Sequence, residues 1–232
     1  MPSIRRGVLD PLFYPQDNII LAFRVLTTKL TPTLYKASPI RFRSFSTMKA
    51  IIIHGKDAKV EERSQPKLRD DYLLVKTVAI ALNPTDWKHI AGGLAAEGGI
   101  SGCDFSGYVE EVGSKVTKQW KKGDKIAGVA HGANYSNPED GAFAEYVAAK
   151  GDVQMKMPDS LSFEQAATVS LGAMTCGQGL YEGGLGLNLP TDPTKNGEFV
   201  LIYGGSTATG SLGVQYAKLY VFSSTLDQSP VH

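Results

Sequence analysis

A strand-like run that stops at two glycines and continues as a helix constrains this chain more than any other stretch. The run extends over 198–203, and Gly204 and Gly205 follow it directly. A loop of small residues comes next, and apolar residues then recur at helical spacing, at Leu212, Val214 and Leu219. Strand, glycine turn and helix in this order form the first half of a βαβ unit, whose helix N-terminus attracts phosphate. We therefore predict a nucleotide-binding turn here, and the alternative is an ordinary Gly-rich connection.

Charge and hydropathy exclude two classes of partner. Residues 1–47 carry seven Lys or Arg and two Asp, whereas the remainder carries 17 basic and 21 acidic residues. A slightly acidic main body without a basic stripe argues against nucleic acid. No apolar run approaches the roughly 18–20 residues of a membrane span. The two cysteines lie far apart and outside any CxxC pattern, so reduced thiols and a cytoplasmic location are expected.

The first 47 residues differ in composition from the rest of the chain. They are basic, rich in hydroxyl side chains and poor in acids, which is typical of a mitochondrial presequence, and 43–47 resembles a matrix-processing site. The alternative is that Met48 is the true start and the upstream residues are a gene-model artefact or a disordered tail. In either case we expect 1–47 to lie outside the fold. If these residues are a presequence, a mitochondrial location is possible.

From Met48 onward, short apolar runs alternate with Gly and Asp turns, which predicts a compact β-barrel-like domain. The predicted strands are 49–55, 60–63, 72–82, 108–113, one within 120–128, and 141–147. Asn83 and Asp86 predict a capped short helix after the third strand. Ser162 and Glu164 predict the start of a helix that continues to Met174. The expected organisation is a leader at 1–47, a β domain at 48–170 and a partial nucleotide-binding domain at 171–232.

The order of β domain, helix and Gly-rich βα unit resembles the medium-chain dehydrogenase/reductase superfamily, in which a GroES-like domain precedes a Rossmann domain. The motifs at 83–89 and 204–209 look like those of its zinc-independent enoyl-reductase-like and quinone-reductase-like members in fungi. The resemblance covers Met48 to about Leu219 and implies an α/β protein that binds a nicotinamide cofactor. It also implies a polyketide synthase as a possible partner, because some of these fungal members act in trans with one.

The resemblance implies two groups of site residues. Thr85, Asp86, Trp87 and Lys88 are expected beside the nicotinamide end of the cofactor, with Lys88 assisting charge or proton placement. The alternative for Lys88 is a solvated lysine on a short helix. The remaining expected cofactor-binding residues lie on the domain-joining helix and in the glycine loop: Thr175, Gly177, Gly204, Gly205, Ser206, Thr207, Ala208, Thr209 and Gly210.

No metal is expected. Zinc members of the superfamily place a Cys where this chain has Asn83, and a His followed by Glu where it has Cys103 and Asp104. A catalytic zinc needs three converging protein ligands. Cys103 and Asp104 are two candidates at most, and no third is identifiable. We interpret Cys103 as a small packed residue and Asp104 as a turn or strand-end capping group.

The glycine loop itself departs from the quinone-reductase pattern. With Gly204 as its first glycine and Gly210 as its last, the middle glycines become Thr207 and Ala208, whose side chains crowd a pyrophosphate slightly. The hydroxyls of Ser206, Thr207 and Thr209 offer donors to phosphate in exchange, and helix capping is their alternative role. An acidic ribose ligand is expected about 20 residues further on. Asp227 is the candidate, although we interpret it as part of an unrelated tail.

These observations support two functional hypotheses. The first is an NADP(H)-dependent oxidoreductase that reduces an activated C=C bond, of an enoyl or quinone-like small molecule, by hydride transfer. The second is a truncated chain that is catalytically inactive or serves only as a binding module. A continuation in frame into a second Rossmann half of roughly 130–150 residues would favour the first hypothesis for the parent protein.

Overall fold

The computed structural model describes residues 22–24, 47–193 and 199–220. Its contacts divide the chain between Ser170 and Leu171 into two compact units. We call Ile20–Ser170 the β unit, and the unit that contains Leu171–His232 the glycine-loop unit. Strands dominate the first and helices the second, so the predicted mixed α/β class is confirmed. Among the described residues, no helix combines the length and the apolar character that crossing a bilayer would require.

Antiparallel strands build the β unit. Its six-stranded sheet runs in the order β1-β4-β5-β6-β8, and β7 pairs with β4 beside β1. A separate two-stranded sheet joins β2 to β3. The strands are β1 (Ala22–Arg24), β2 (Thr47–His54), β3 (Asp57–Ser64), β4 (Tyr72–Ala81), β5 (Asp104–Val112), β6 (Lys125–Val129), β7 (Tyr146–Lys150) and β8 (Met155–Lys156).

Two helices and one short turn complete this unit. Helix α1 (Pro84–Ala91) connects β4 towards β5, and a 3₁₀ turn at Gly151–Val153 precedes β8. Helix α2 (Phe163–Ala167) packs on the sheet, where the Ser106 hydroxyl donates to the Phe163 carbonyl at 2.6 Å. Apolar side chains form the main buried cluster of this unit, as the alternation of faces along its strands predicts. Its centre is formed by Leu73, Val75, Phe105, Val109, Ile126 and Val147.

Two predictions for the β unit are wrong. Residues 22–24 were expected outside the fold, but β1 pairs antiparallel with Ala79–Ala81 and occupies part of the open edge of β4. The rest of the expected leader lies outside the described residues, apart from Thr47, which opens β2. The strand expected at 141–147 begins only at Tyr146, because Ala142 and Phe143 donate their main-chain N–H groups to the carbonyls of Gly102 and Ser101 instead of to a ladder.

The expected helix from Ser162 to Met174 is two helices. Ser162 caps α2 by accepting from the Gln165 N–H at 3.2 Å, as predicted. The Thr168 hydroxyl then donates to the Gln165 carbonyl at 2.8 Å. Hydroxyl side chains that compete for helical carbonyls favour a break. Helix α3 (Ser170–Gly177) therefore starts anew.

The glycine-loop unit contains α3, a π-helical turn at Gln178–Glu182 and helix α4 (Ala208–Tyr220). The prediction of a β-strand at 198–203 is wrong, because residues 199–203 join no sheet in the described structure. A strand needs a neighbour for its main-chain groups, and this unit contains no other strand among its described residues. Val200 still packs with Cys176, Leu180 and Leu212 in the unit's apolar cluster.

Candidate functional site

Helix α1 carries the first group of expected site residues and starts as the sequence predicts. Pro84 occupies its first position, where a missing N–H costs nothing. The Asn83 main-chain N–H donates to Asp86 Oδ2 at 2.7 Å, and the Asp86 N–H donates to the Asn83 carbonyl at 3.0 Å. The Asp86 carboxylate therefore caps the helix to which it belongs.

The side chains behind this first turn form a buried polar cluster. Asn83 Nδ2 donates to Asp104 Oδ2 at 2.9 Å, and Asp104 is only 1 % exposed at the start of β5. Asp86 is 8 % exposed, and burial raises the pKa of its carboxyl, although the hydrogen bond from the Asn83 N–H lowers it. Burial also raises the pKa of the half-buried Cys103 thiol strongly, and the neighbouring Asp86 charge adds to this rise. Cys103 is thus held as the neutral thiol.

The other α1 residues face outward to different degrees. Thr85 is half-buried, and its hydroxyl lies 2.9 Å from Nδ1 of His89 one turn later. Trp87 and Lys88 are exposed, and Lys88 Nζ lies 5.7 Å from the centre of the Trp87 ring. At that distance the ring face attracts the ammonium group. Asp86 is therefore the one member of this expected set that is turned into the protein.

The glycine turn has the backbone geometry that the sequence predicts for it. Gly204 has φ +79°, a conformation that side chains disfavour. A Cβ added at Gly210 would collide with the main-chain oxygen of Gly204, so α4 starts in direct contact with the turn. Only glycine fits at this contact. The two outer glycines of the loop are thus required by conformation and by close approach.

The hydroxyl at Thr207 has the capping role that was the alternative to phosphate binding. Thr207 Oγ1 accepts from the Gly210 N–H at 3.0 Å, and the Thr207 carbonyl accepts from the Ser211 N–H at 2.8 Å. Helix geometry leaves the N–H groups of Ala208 and Thr209 without an intrahelical acceptor. Ser206, Ala208 and Thr209 are exposed. The turn therefore fits a phosphate group, because exposed donors and the positive end of the α4 dipole coincide there.

Helix α3 packs against this turn within the same unit. The Cys176 thiol donates to the Thr209 carbonyl at 3.3 Å, and Gly172 lies against Leu212 and Thr209. Thr175 is exposed and donates its hydroxyl to the Leu171 carbonyl at 2.9 Å. A Cβ at Gly177 would meet open space. The sequence analysis did not single out Cys176. Its position between the expected site residues Thr175 and Gly177 was the only sequence feature that pointed to it.

The structure thus brings together the expected residues of each unit. Thr85 to Lys88 share α1 in the β unit, and Thr175, Gly177 and 204–210 share the glycine-loop unit. Asp227 lies outside the described residues. Among the residues that are described, no three His, Cys, Asp or Glu side chains are arranged to hold a metal ion. The roles of the expected cofactor residues and the absence of zinc stay predictions.

Comparisons with known proteins agree with this architecture. Residues 69–159 match the family model of the alcohol dehydrogenase GroES-like domain. The trans-enoyl reductase TOXD of Cochliobolus carbonum is 53 % identical over 173 residues, which cover 75 % of this chain and 58 % of that relative. The chain thus spans little more than half the length of this curated relative. The predicted GroES-like β domain is confirmed.

Solved structures point to the same group. The quinone oxidoreductase of Coxiella burnetii matches with a TM-score of 0.56 and 32 % identity, over 75 % of this chain and 54 % of that one. The mycobacterial protein Rv1454c, solved in complex with NADPH, matches with a TM-score of 0.55 and 27 % identity, over 75 % and 50 %. Together with the GroES-like match and the fungal relative, these similarities support the predicted assignment of the chain to the medium-chain dehydrogenase/reductase superfamily.

Proposed function

We propose that this chain contributes the phosphate-binding turn and the nicotinamide-side helix of an NADP(H)-dependent reductase. The reaction is reduction of an activated C=C bond in an enoyl or quinone-like small molecule. The observation that supports this proposal most directly is the turn from Gly204 to Gly210. Gly204 has a left-handed conformation, and only glycine fits at the contact where α4 begins at Gly210. Both features let main-chain N–H groups approach a pyrophosphate closely.

The relatives support the cofactor and the reaction. The fungal relative is named a trans-enoyl reductase, one solved neighbour is a quinone oxidoreductase, and another was solved with NADPH. A polyketide synthase is the proposed partner in trans, because the chain resembles the fungal enoyl reductases that act in this way. The substrate is then delivered as a small acyl or quinone-like group.

The residues of the chain bind, orient and neutralise charge in this proposal. The exposed Ser206 and Thr209 hydroxyls and the N–H groups of the first α4 turn hold the phosphates. The bound cofactor would supply the hydride. Lys88, exposed on α1, places its ammonium group where negative charge develops on the acceptor. Thr85, on the first turn of the same helix, contributes a hydroxyl.

A specific observation favours the second candidate, a binding module without catalysis. Phe199, Leu201 and Tyr203 are 98 %, 94 % and 92 % exposed, so one face of the segment before the glycine turn has no cover in the described structure. In a complete parallel sheet both faces of such a segment are buried. The proposed activity therefore requires further β–α units that cover this face.

A chimera tests the proposal. The C-terminal part of the Cochliobolus relative, which lies beyond the matched region, is joined after Tyr220, and NADPH consumption is followed with an enoyl thioester or a quinone. We expect turnover, and Gly210→Ala should lower it about a hundredfold, because misplacing a bound group by about 1 Å has effects of this size. Gly179→Ala is the matched control, since a Cβ at Gly179 meets no atom within 4 Å. A folded chimera that consumes no NADPH with either acceptor would support the binding module instead.

A further inference from the structure

A surface loop of the β unit closes on itself between β6 and β7. Main-chain N–H groups at its two ends donate to the carbonyls of consecutive residues. Ala130 donates to Cys103 at 2.8 Å, and Ala142 donates to Gly102 at 2.8 Å. The ends of the 131–141 loop are therefore held side by side. A compact loop whose ends are close together is an Ω-loop, and loops of this class are frequently functional.

The body of the 131–141 loop is bonded to the connection between α1 and β5. The Ala133 N–H donates to the Ile100 carbonyl at 2.8 Å, and the Ala133 carbonyl accepts from the Ala96 N–H at 3.2 Å. The Ile100 N–H donates in turn to the Pro138 carbonyl at 2.8 Å. The connection then enters β5 at Asp104, whose carboxylate accepts from the Asn83 amide beside α1. The closed loop thus supports the segment that follows α1.

The closed loop contains a strained residue. Ala133 has φ +60°, and it is the only residue other than glycine with a positive φ in the part of the chain that the structure describes. A side chain disfavours this conformation, which persists only where the surrounding contacts enforce it. The bonds of Ala133 to 96 and 100 enforce it here, and they exist only while the loop is closed. A further contact that holds the loop closed is therefore needed.

Arg69, which precedes β4, makes that contact from outside the loop. Its Nη2 donates to Asp140 Oδ1, and its Nη1 lies 3.8 Å from Glu139 Oε1. Asp140 is only 3 % exposed, and its Oδ2 lies 3.5 Å from Nδ2 of Asn134 within the same loop. The Arg69 Cζ atom stands 3.7 Å from the centre of the Tyr72 ring, so the guanidinium group is also held by a ring face.

The buried charge of Asp140 makes the two possible losses unequal. Removing Arg69 alone leaves a buried carboxylate without its cation, which is strongly unfavourable. Removing both charges leaves no buried carboxylate to compensate, and such a double replacement can be nearly neutral. The damage from losing Arg69 should therefore be reversible at Asp140. A residue that acted by packing alone would not show this reversal.

We propose that the ion pair of Arg69 and Asp140 is a latch that keeps the 131–141 loop closed against 96–103. When the pair is broken, the loop opens as a unit and the strain at Ala133 is released. An open loop would also withdraw support from the segment that follows α1 and carries its orientation into the reductase site, and that consequence rests on the proposed function. The latch itself does not.

Limited proteolysis of the full 232-residue chain measures opening of the loop without cofactor or turnover. Chymotrypsin cleaves after aromatic residues, and Tyr135 is the only Phe, Tyr or Trp within 131–141. Cleavage follows the population of the locally opened state when opening and closing are fast. Tyr203, which is exposed in the glycine-loop unit, provides an internal reference in the same molecule. Mass spectrometry distinguishes the two cleavage products.

Two variants and one control separate the latch from general destabilisation. Arg69→Met should raise the ratio of cleavage after Tyr135 to cleavage after Tyr203 by at least about tenfold. Adding Asp140→Asn to Arg69→Met should return this ratio to within about threefold of wild type. Asp159→Asn is the matched control, because it removes a carboxylate paired with Lys125 at 2.9 Å elsewhere in the unit, and it should leave the ratio unchanged. Circular dichroism confirms that each variant is folded.

Three results would contradict the latch. An unchanged ratio in a folded Arg69→Met protein would show that the pair does not hold the loop. Equal acceleration in the single and double variants would show that Arg69 acts by packing alone. If Arg69→Met fails to fold, a folded double variant with the wild-type ratio still supports the latch, and a double variant that also fails to fold contradicts it. Failure of NADPH turnover in the chimera leaves these results intact, so the two proposals fail independently.

Discussion

Neighbouring residues before the glycine turn should lose very different amounts of stability on the same substitution. Leu201 is 94 % exposed, whereas Ile202 is half-buried, with its Cδ1 3.4 Å from the position that a Cβ on Gly213 would occupy. Alternate residues of an extended segment point to opposite faces. We therefore compare Leu201→Thr with Ile202→Thr, which both replace a branched apolar side chain by a polar one.

The structure sets the expected magnitudes. Full burial of a Leu or Ile side chain stabilises a protein by about 1.5–3 kcal/mol. Leu201 retains about 6 % of that burial, so Leu201→Thr should cost only about 0.1–0.2 kcal/mol in the 232-residue chain. Ile202 retains about two thirds to nine tenths of it, so Ile202→Thr should cost about 1–2.7 kcal/mol. In the chimera, where added strands cover the outer face, Leu201→Thr should cost about 1.5–3 kcal/mol.

Denaturant unfolding followed by circular dichroism measures these differences for both proteins. Equal destabilisation by the two substitutions in the 232-residue chain would show that the outer face is already covered. A Leu201→Thr cost that stays near zero in the chimera would refute the claim that this face belongs inside a parallel sheet.

Three further predictions concern the cluster behind α1 and, for comparison, the Asp152 carboxylate. Purified protein should contain no stoichiometric zinc, because Asn83 is an amide bonded to Asp104 and no three His, Cys, Asp or Glu side chains of the described residues are arranged to hold a metal ion. Elemental analysis that finds one zinc per chain would contradict this. Burial raises the pKa of Asp86, so the folded state binds the proton of this carboxyl more tightly than the unfolded state does. The contribution of the carboxyl to stability therefore falls as the pH rises from about 4, the ordinary value, through the raised pKa. The stability of wild type relative to Asp86→Asn should therefore fall over that range in urea titrations. For Asp152, whose pKa is lowered by the Lys118 N–H, the stability of wild type relative to Asp152→Asn should rise with pH instead.

Local interactions account for the parts of the fold that were predictable from the sequence. The α1 start follows from Asn83, Pro84 and Asp86, three neighbours whose capping contacts need no distant partner. The glycine turn is likewise determined by the conformations of Gly204 and Gly210. The burial of Asp86 was not predictable, because it depends on how the first turn of α1 packs against residues distant in sequence, such as Asp104, to which the Asn83 amide donates.

Non-local pairing explains the errors. The pairing of β1 with β4 joins Ala22 to Ala81; the apolar run at 19–26 is compatible with a strand, but nothing in it identifies the distant partner. The apolar run before Gly204 has the composition of a strand, but the described structure offers it no neighbour. In both cases the outcome depends on whether a pairing partner is present elsewhere in the chain, which a local sequence pattern does not indicate.

The affinity for NADPH, measured calorimetrically on the 232-residue chain and on the chimera, tests the central claim most directly. The glycine turn supplies a phosphate site in both proteins, but only the chimera covers the apolar face of Phe199, Leu201 and Tyr203. We expect the chimera to bind NADPH with micromolar affinity. The chain alone should bind at least about a hundredfold more weakly, which is a difference of about 2.7 kcal/mol in binding free energy. The Gly210→Ala chimera should also bind more weakly than the unsubstituted chimera. Micromolar affinity of the chain alone would contradict this account, and so would a chimera that binds NADPH equally well with alanine at position 210.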